Sequence, residues 1–184
     1  SVQLNDPTGP LADDAVMAMG NANFDRERYE DAANSYDQLR KNYPKSEHIV
    51  KAHLLGLEAK KLIYQGPLYD GKPLDDAQEI ARQALTQFRG QLGNDRERLV
   101  REQQTLSEMK SERLWAMGEF WETKRAYGAA RICYNNLIKE YPGTRFAQMA
   151  ERRLGEIRDK PAEPTNHFKW LTDTFNRFKE QEPR

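Results

Sequence analysis

Residues 29–46 read YEDAANSYDQLRKNYPKS and residues 127–144 read YGAARICYNNLIKEYPGT. A gapless shift of 98 positions matches Tyr29, Ala32, Tyr36, Leu39, Lys41, Tyr43 and Pro44 with Tyr127, Ala130, Tyr134, Leu137, Lys139, Tyr141 and Pro142. The same shift carries Ala18-Met19-Gly20 onto Ala116-Met117-Gly118 and Ala52 onto Ala150. The chain therefore contains an internal repeat, which must be read before any fold is assigned. From Asp13 to Arg158 apolar residues recur at intervals of three and four, and few runs alternate with period two. That spacing predicts helices and almost no strand. Each unit has a glycine in a first helix, a turn, then a second helix carrying Ala32 or Ala130 and ending at Pro44 or Pro142. Small residues at those places let antiparallel helices approach closely, with Tyr36 and Tyr134 filling the space beside the contact. Proline stops the second helix because it lacks the N–H that continuation needs.

Helix–turn–helix units with Gly, Ala and Pro at these places resemble the tetratricopeptide repeat, whose unit is about 34 residues. The fold this implies is all-α: a right-handed α-solenoid of about three hairpins with a closing helix and a C-terminal amphipathic helix. Residues 1–12, with Pro7, Gly9 and Pro10, read as a flexible leader, and the ordered domain as 13–158. Its repeats are placed at 13–46, 47–89 and 95–144, with a closing helix at 144–158. In the degenerate middle repeat Ser46 reads as the N-cap of the first helix, and 74–89 as the second. An insert over 65–73, holding Gly66, Pro67, Gly71 and Pro73, reads as a projecting loop. Asn94 followed by Glu97 reads as a capping box opening one long helix over about 95–123. Pro161 and Pro164 mark a linker over 159–165, and 166–184 reads as a C-terminal helix and tail.

Lys plus Arg number 29 and Asp plus Glu number 29 among 184 residues, so no long-range field recruits nucleic acid or anionic lipid. Charged residues make up 32% and mean hydropathy is −0.96, a balance suited to elongated helices with much solvated surface. Cys133 is the single cysteine, and His48, His53 and His167 have no second thiol with which to build a zinc site. The sequence holds no phosphate-binding glycine loop, HExxH, CxxC or GxSxG. No catalytic residue, cofactor or metal is therefore expected. Cys133 reads as a small buried apolar residue, Met19 and Met117 as core because they adjoin the glycines, and Asp25-Arg26-Glu27-Arg28 as a charged turn.

The tetratricopeptide resemblance implies protein–protein scaffolding through a groove lined by the first helices. Carried over this alignment, the groove positions are Asp14, Met17, Asn21 and Phe24, then Lys51, Leu55 and Glu58, then Glu112, Trp115, Glu119 and Glu122. Adaptors that clamp a C-terminal carboxylate need basic residues where Glu112 and Ala116 stand, so that variant is not expected. The Tyr-Pro endings, Tyr43-Pro44-Lys45-Ser46 and Tyr141-Pro142-Gly143-Thr144, each followed by an Ala-bearing helix, resemble the BamD family of outer-membrane assembly lipoproteins. That resemblance implies a bacterial cell-envelope protein on the periplasmic face of the outer membrane. Its partners would be other proteins, envelope components or extended peptides, with membrane contact only through a lipid anchor outside this chain. A generic adaptor of another periplasmic or cytoplasmic complex is the rival reading. In the tail, Phe168, Leu171, Phe175 and Phe178 form one apolar stripe with Trp170 off it, a second candidate interaction surface.

Overall fold

The computed structural model describes residues 11–163. Within them lie α1 (Ala12–Asp25), α2 (Tyr29–Asn42), α3 (Ile49–Ile63), α4 (Lys72–Gln87), α5 (Asp95–Thr123), α6 (Tyr127–Glu140) and α7 (Arg145–Glu156), with no strand among the described residues. Each helix packs on the next in chain order, and α7 also leans on α5. The result is an all-α, tetratricopeptide-like solenoid.

The hairpin turns are set locally. Arg28 N–H donates to Asn23 O and Glu27 N–H to Phe24 O, with Glu27 left-handed at φ 59°. Ninety-eight residues on, Ala126 donates to Trp121 O and Arg125 to Glu122 O, with Arg125 at φ 57°. Both are Schellman endings built without glycine at the left-handed position. Acidic Glu30 and Asp31 in the first turn of α2, and Arg40 and Lys41 in its last, suit the helix dipole. Thr144 caps α7 by accepting from Ala147 N–H at 3.3 Å.

The core is three hydrophobic clusters in series. Val16, Met17, Ala32, Tyr36, Leu39 and Ala52 join α1, α2 and α3. Leu54, Leu57, Leu74, Ile80, Leu99 and Leu106 join α3, α4 and the first half of α5. Ala130, Tyr134, Leu137, Phe146, Ala147 and Ala150 join α6 and α7, with Leu114 and Trp115 of α5 against them. The long α5 thus belongs to two clusters, one at each end. A Cβ on Gly20 would lie 2.6 Å from Tyr36 Cε1, and one on Gly118 would lie 2.6 Å from Tyr134 Cζ. Both glycines make room for a fully buried tyrosine ring.

Several sequence expectations are corrected at residue level. Met19 and Met117 are 43% and 37% exposed rather than core. Neighbours in sequence sit about 100° apart around a helix, so the residue beside a packed glycine points elsewhere. The leader ends one residue early, since Ala12 opens α1 with its side chain buried. Ser46 is not the cap of α3; it accepts from His48 N–H at 3.1 Å inside the turn, and His48 precedes the first helical residue. Asn94 holds the capping position of α5 but makes no side-chain capping bond. Lys72 and Pro73, placed in the insert by the sequence, form the first turn of α4, where proline is well tolerated. The remaining insert is held down by Arg113, whose guanidinium donates to Pro67 O at 3.2 Å and also to Tyr69 O.

Beyond α7 the chain turns back along α6. Arg131 donates to Ile157 O at 3.2 Å and to Lys160 O at 3.1 Å, and Gly128 N–H donates to Ala162 O at 2.8 Å. The part of the expected linker up to residue 163 therefore rests on the repeat. The C-terminal helix expected over 166–184, with Phe168, Trp170, Leu171, Phe175 and Phe178, falls outside the described residues.

Candidate functional site

A groove of about 550 Å3 opens between the second half of α5 and α7. Trp115, Glu119, Glu122 and Thr123 form one wall, and Met149, Arg152, Arg153 and Glu156 the other. Spacings of three and four put each set on one face of its helix. The Trp115 ring lies 5.0 Å from Tyr134 and 6.4 Å from Phe146, so packing fixes the apolar floor.

At the centre, Glu122 and Arg153 meet fork to fork. Arg153 Nε donates to Glu122 Oε1 at 2.9 Å and Nη2 to Oε2 at 2.7 Å, while Tyr134 Oη donates to Oε1 at 2.7 Å. Arg153 also pairs with Glu156 through Nη1. The Glu122 side chain is only 10% exposed. Its burial favours the neutral acid, but the donors Arg153 and Tyr134 outweigh that and hold its pKa below the usual carboxylate range. Hydrogen bonds from Glu122 and Glu156 push the Arg153 pKa upward, and burial followed by Glu122 does the same to the Tyr134 phenol. Glu122 and Arg153 therefore stay charged across the neutral range. The groove sets charges of both signs beside a tryptophan floor, and bidentate pairing fixes where Glu122 and Arg153 stand.

The other sequence-derived groove positions are dispersed. Met17 is 4% exposed and belongs to the first cluster, where Phe24 and Leu55 also pack. Phe24 meets Tyr29 edge to face at 5.4 Å. Met17 precedes Gly20 by three residues and shares its buried face, which is why it turns away from solvent. Asn21 accepts from Tyr36 Oη at 3.1 Å. Asp14 meets His48 at 2.6 Å on the surface, near Glu47. Glu58 pairs with Lys61 at 3.1 Å, and Lys61 reaches Glu102 of α5 at 2.8 Å. Lys51 is exposed and Glu112 half-buried. Of the eleven positions, Trp115, Glu119 and Glu122 come together in the groove.

The opposing wall was missed although the sequence carried its signal. The 98-residue shift takes Lys51, Leu55 and Glu58 onto Met149, Arg153 and Glu156. By that register the helix expected to close the stack stands at the place of a first helix. His53 Nδ1 lies 2.8 Å from Ile49 O with its ring against Phe88, and Cys133 is buried, which pushes its thiol pKa up. Both side chains are occupied in packing.

Serial hairpins, doubled Schellman turns and a groove between successive first helices define a tetratricopeptide-like repeat protein. The family model described as YfiO, an outer membrane lipoprotein, matches residues 7–166, and the chain belongs to that family. No curated protein matches it. Among the described residues no helix is long and apolar enough to cross a membrane.

Proposed function

We propose that this chain is a non-enzymatic scaffold of outer-membrane protein assembly, acting at the periplasmic face of the outer membrane and holding a segment of a partner protein in the α5/α7 groove. One observation carries the reading: a groove with fixed charges and an aromatic floor, in a chain whose family is an outer membrane lipoprotein. The exposed Glu119 and Arg152 on opposite walls offer both signs of charge to an extended polypeptide, and Trp115 and Met149 offer apolar contact.

A photo-crosslinking residue at position 119, compared with one at the exposed Met19, tests it in envelope fractions. Capture of an outer-membrane assembly component from position 119, lost on the charge reversals Glu119→Lys and Arg152→Glu, is the expected result. Equal capture from both positions, or capture indifferent to the reversals, removes the groove from the proposal.

A further inference from the structure

The first and third repeats differ where the chain enters α3 and α7. The 98-residue shift carries Asp14, Glu47 and His48 onto Glu112, Arg145 and Phe146. In the third repeat Phe146 is buried in the core, and the Arg145 guanidinium lies 4.6 Å from its ring centre. In the first, His48 Nε2 lies 2.6 Å from Asp14 Oδ1 and 3.8 Å from Glu47 Oε1. A helix of this register forms in the third repeat with an apolar ring at the histidine's place, so the imidazole and its carboxylates answer no packing demand.

One imidazole nitrogen and two carboxylate oxygens here all lie within 4.8 Å of one another. Donors on a tetrahedral zinc ion, at bonds of about 2.1 Å, stand roughly 3.4 Å apart. The observed separations straddle that value, and the Glu47 side chain is 83% exposed, so closing the set needs a change of rotamer and no movement of the backbone. Asp13, beside Asp14, adds a further negative charge, and a hydrogen bond from Ser46 holds its carboxyl below the usual carboxylate range. Elsewhere the carboxylates that bridge helices meet a lysine or arginine, as Asp76, Glu102 and Glu122 do. Among the described residues no lysine or arginine forms an ion pair with Asp13, Asp14 or Glu47, and His48 is the partner of the last two. Three carboxylates around one imidazole leave negative charge for a cation to neutralise.

We propose that Asp14, Glu47 and His48 form a surface site for a divalent transition-metal ion of the Zn2+ class, tying the first turn of α1 to the turn before α3. A mixed nitrogen and oxygen donor set suits such an ion better than Ca2+ or Mg2+, which take oxygen ligands. The sequence predicts no metal because Asp14 and His48 stand 34 positions apart and only the fold brings them together.

Calorimetric titration of the full chain with Zn2+ tests this. A single binding event is expected, weakened about tenfold or more in His48→Gln and in Glu47→Gln, a loss that even an outer-shell partner of a metal can carry. Because the ligands come from separate elements, Zn2+ should also raise the thermal midpoint of the chain and leave that of His48→Gln where it was. Glu47 is exposed and lies outside any helix, so its variant keeps the test valid if His48→Gln folds poorly. His53 is 3% exposed with Nδ1 on Ile49 O, which leaves His167 as the competing imidazole, and His167→Gln should bind as the parent does. Absence of binding overturns the assignment, as does binding that survives both His48→Gln and Glu47→Gln or that is lost in His167→Gln. Ca2+ or Mg2+ binding as tightly as Zn2+ also overturns it, since a diffuse patch of carboxylates would then be the binder.

Discussion

The first and third repeats start from the same plan and finish differently. Each places a glycine of its first helix under a buried tyrosine of its second, and each turns on a Schellman ending. In the first repeat Tyr36 donates to the neutral Asn21, and the positions flanking that contact, Phe24 and Leu55, pack against the apolar cluster. In the third, the same positions hold Glu122 and Arg153, and Tyr134 donates into their ion pair. The hairpin contact leaves no room for a side chain at the glycine because a ring fills it. The neighbouring pair is apolar in one copy and charged in the other on the same hairpin geometry. The glycine under the ring and the groove's charged pair lie one helical turn apart.

Overpacking breaks the shared element most strongly. Gly118→Leu drives a side chain into the Tyr134 ring and is expected to cost about 3 kcal/mol, read as a fall in thermal midpoint well beyond that of Glu97→Gln. If the two variants melt alike, the glycine–tyrosine contact does not hold the hairpin.

The halves should also part with pH. His53 is buried, and that burial pulls its pKa down to about 4 from an ordinary 6.5. The unfolded chain then binds the proton that the folded chain refuses, so stability is lost as pH falls from about 6.5 toward 4, by up to about 3 kcal/mol. The shift places Glu151, exposed on α7, where His53 stands. Hydrogen exchange should therefore loosen α3 before α6 on acidification, and His53→Gln should flatten that dependence. Glu122, whose pKa is depressed, acts in the same direction lower down: its contribution is present above the ordinary carboxylate range and lost below it.

The charged pair sharpens the contrast further. Tyr134→Phe removes a donor from a carboxylate and should cost about 2 kcal/mol, against about 1 kcal/mol for Tyr36→Phe at its neutral amide, measured by urea unfolding. Arg153→Leu leaves the mostly buried Glu122 under-paired and should cost about 1 kcal/mol, tempered by the partial exposure of the arginine. Adding Glu122→Phe, which copies the first repeat, should restore that loss. A double variant weaker than the single one would show that the ion pair itself is needed for stability. An effect of the opposite sign and no larger is expected at the turns, where Glu27→Gly and Arg125→Gly each relieve a left-handed residue and should raise stability by about 1 kcal/mol or less, read as a rise in thermal midpoint.

The helical class and the repeat were legible because the 98-residue shift records a steric fact: only a very small residue fits under Tyr36 or Tyr134. The groove was half legible. Trp115, Glu119 and Glu122 follow from register, whereas Met149, Arg153 and Glu156 required carrying the same register onto α7. Met17, Phe24 and Leu55 carry the correct register and a different environment, since apolar residues at groove positions bury themselves when a neighbour offers a cluster. Ser46 and Asn94 show that a capping residue type does not guarantee a capping bond, because the turn around it decides where its oxygen points.

Helix α5 has 29 residues, about 44 Å of continuous backbone at 1.5 Å per residue. Its Leu99 and Leu106 are anchored in one core and its Leu114 and Trp115 lie against another. The groove floor at Trp115 and the core shared with α3 and α4 thus stand on one uninterrupted rod, pinned to α4 between the two where Lys110 reaches Asp75 at 2.8 Å.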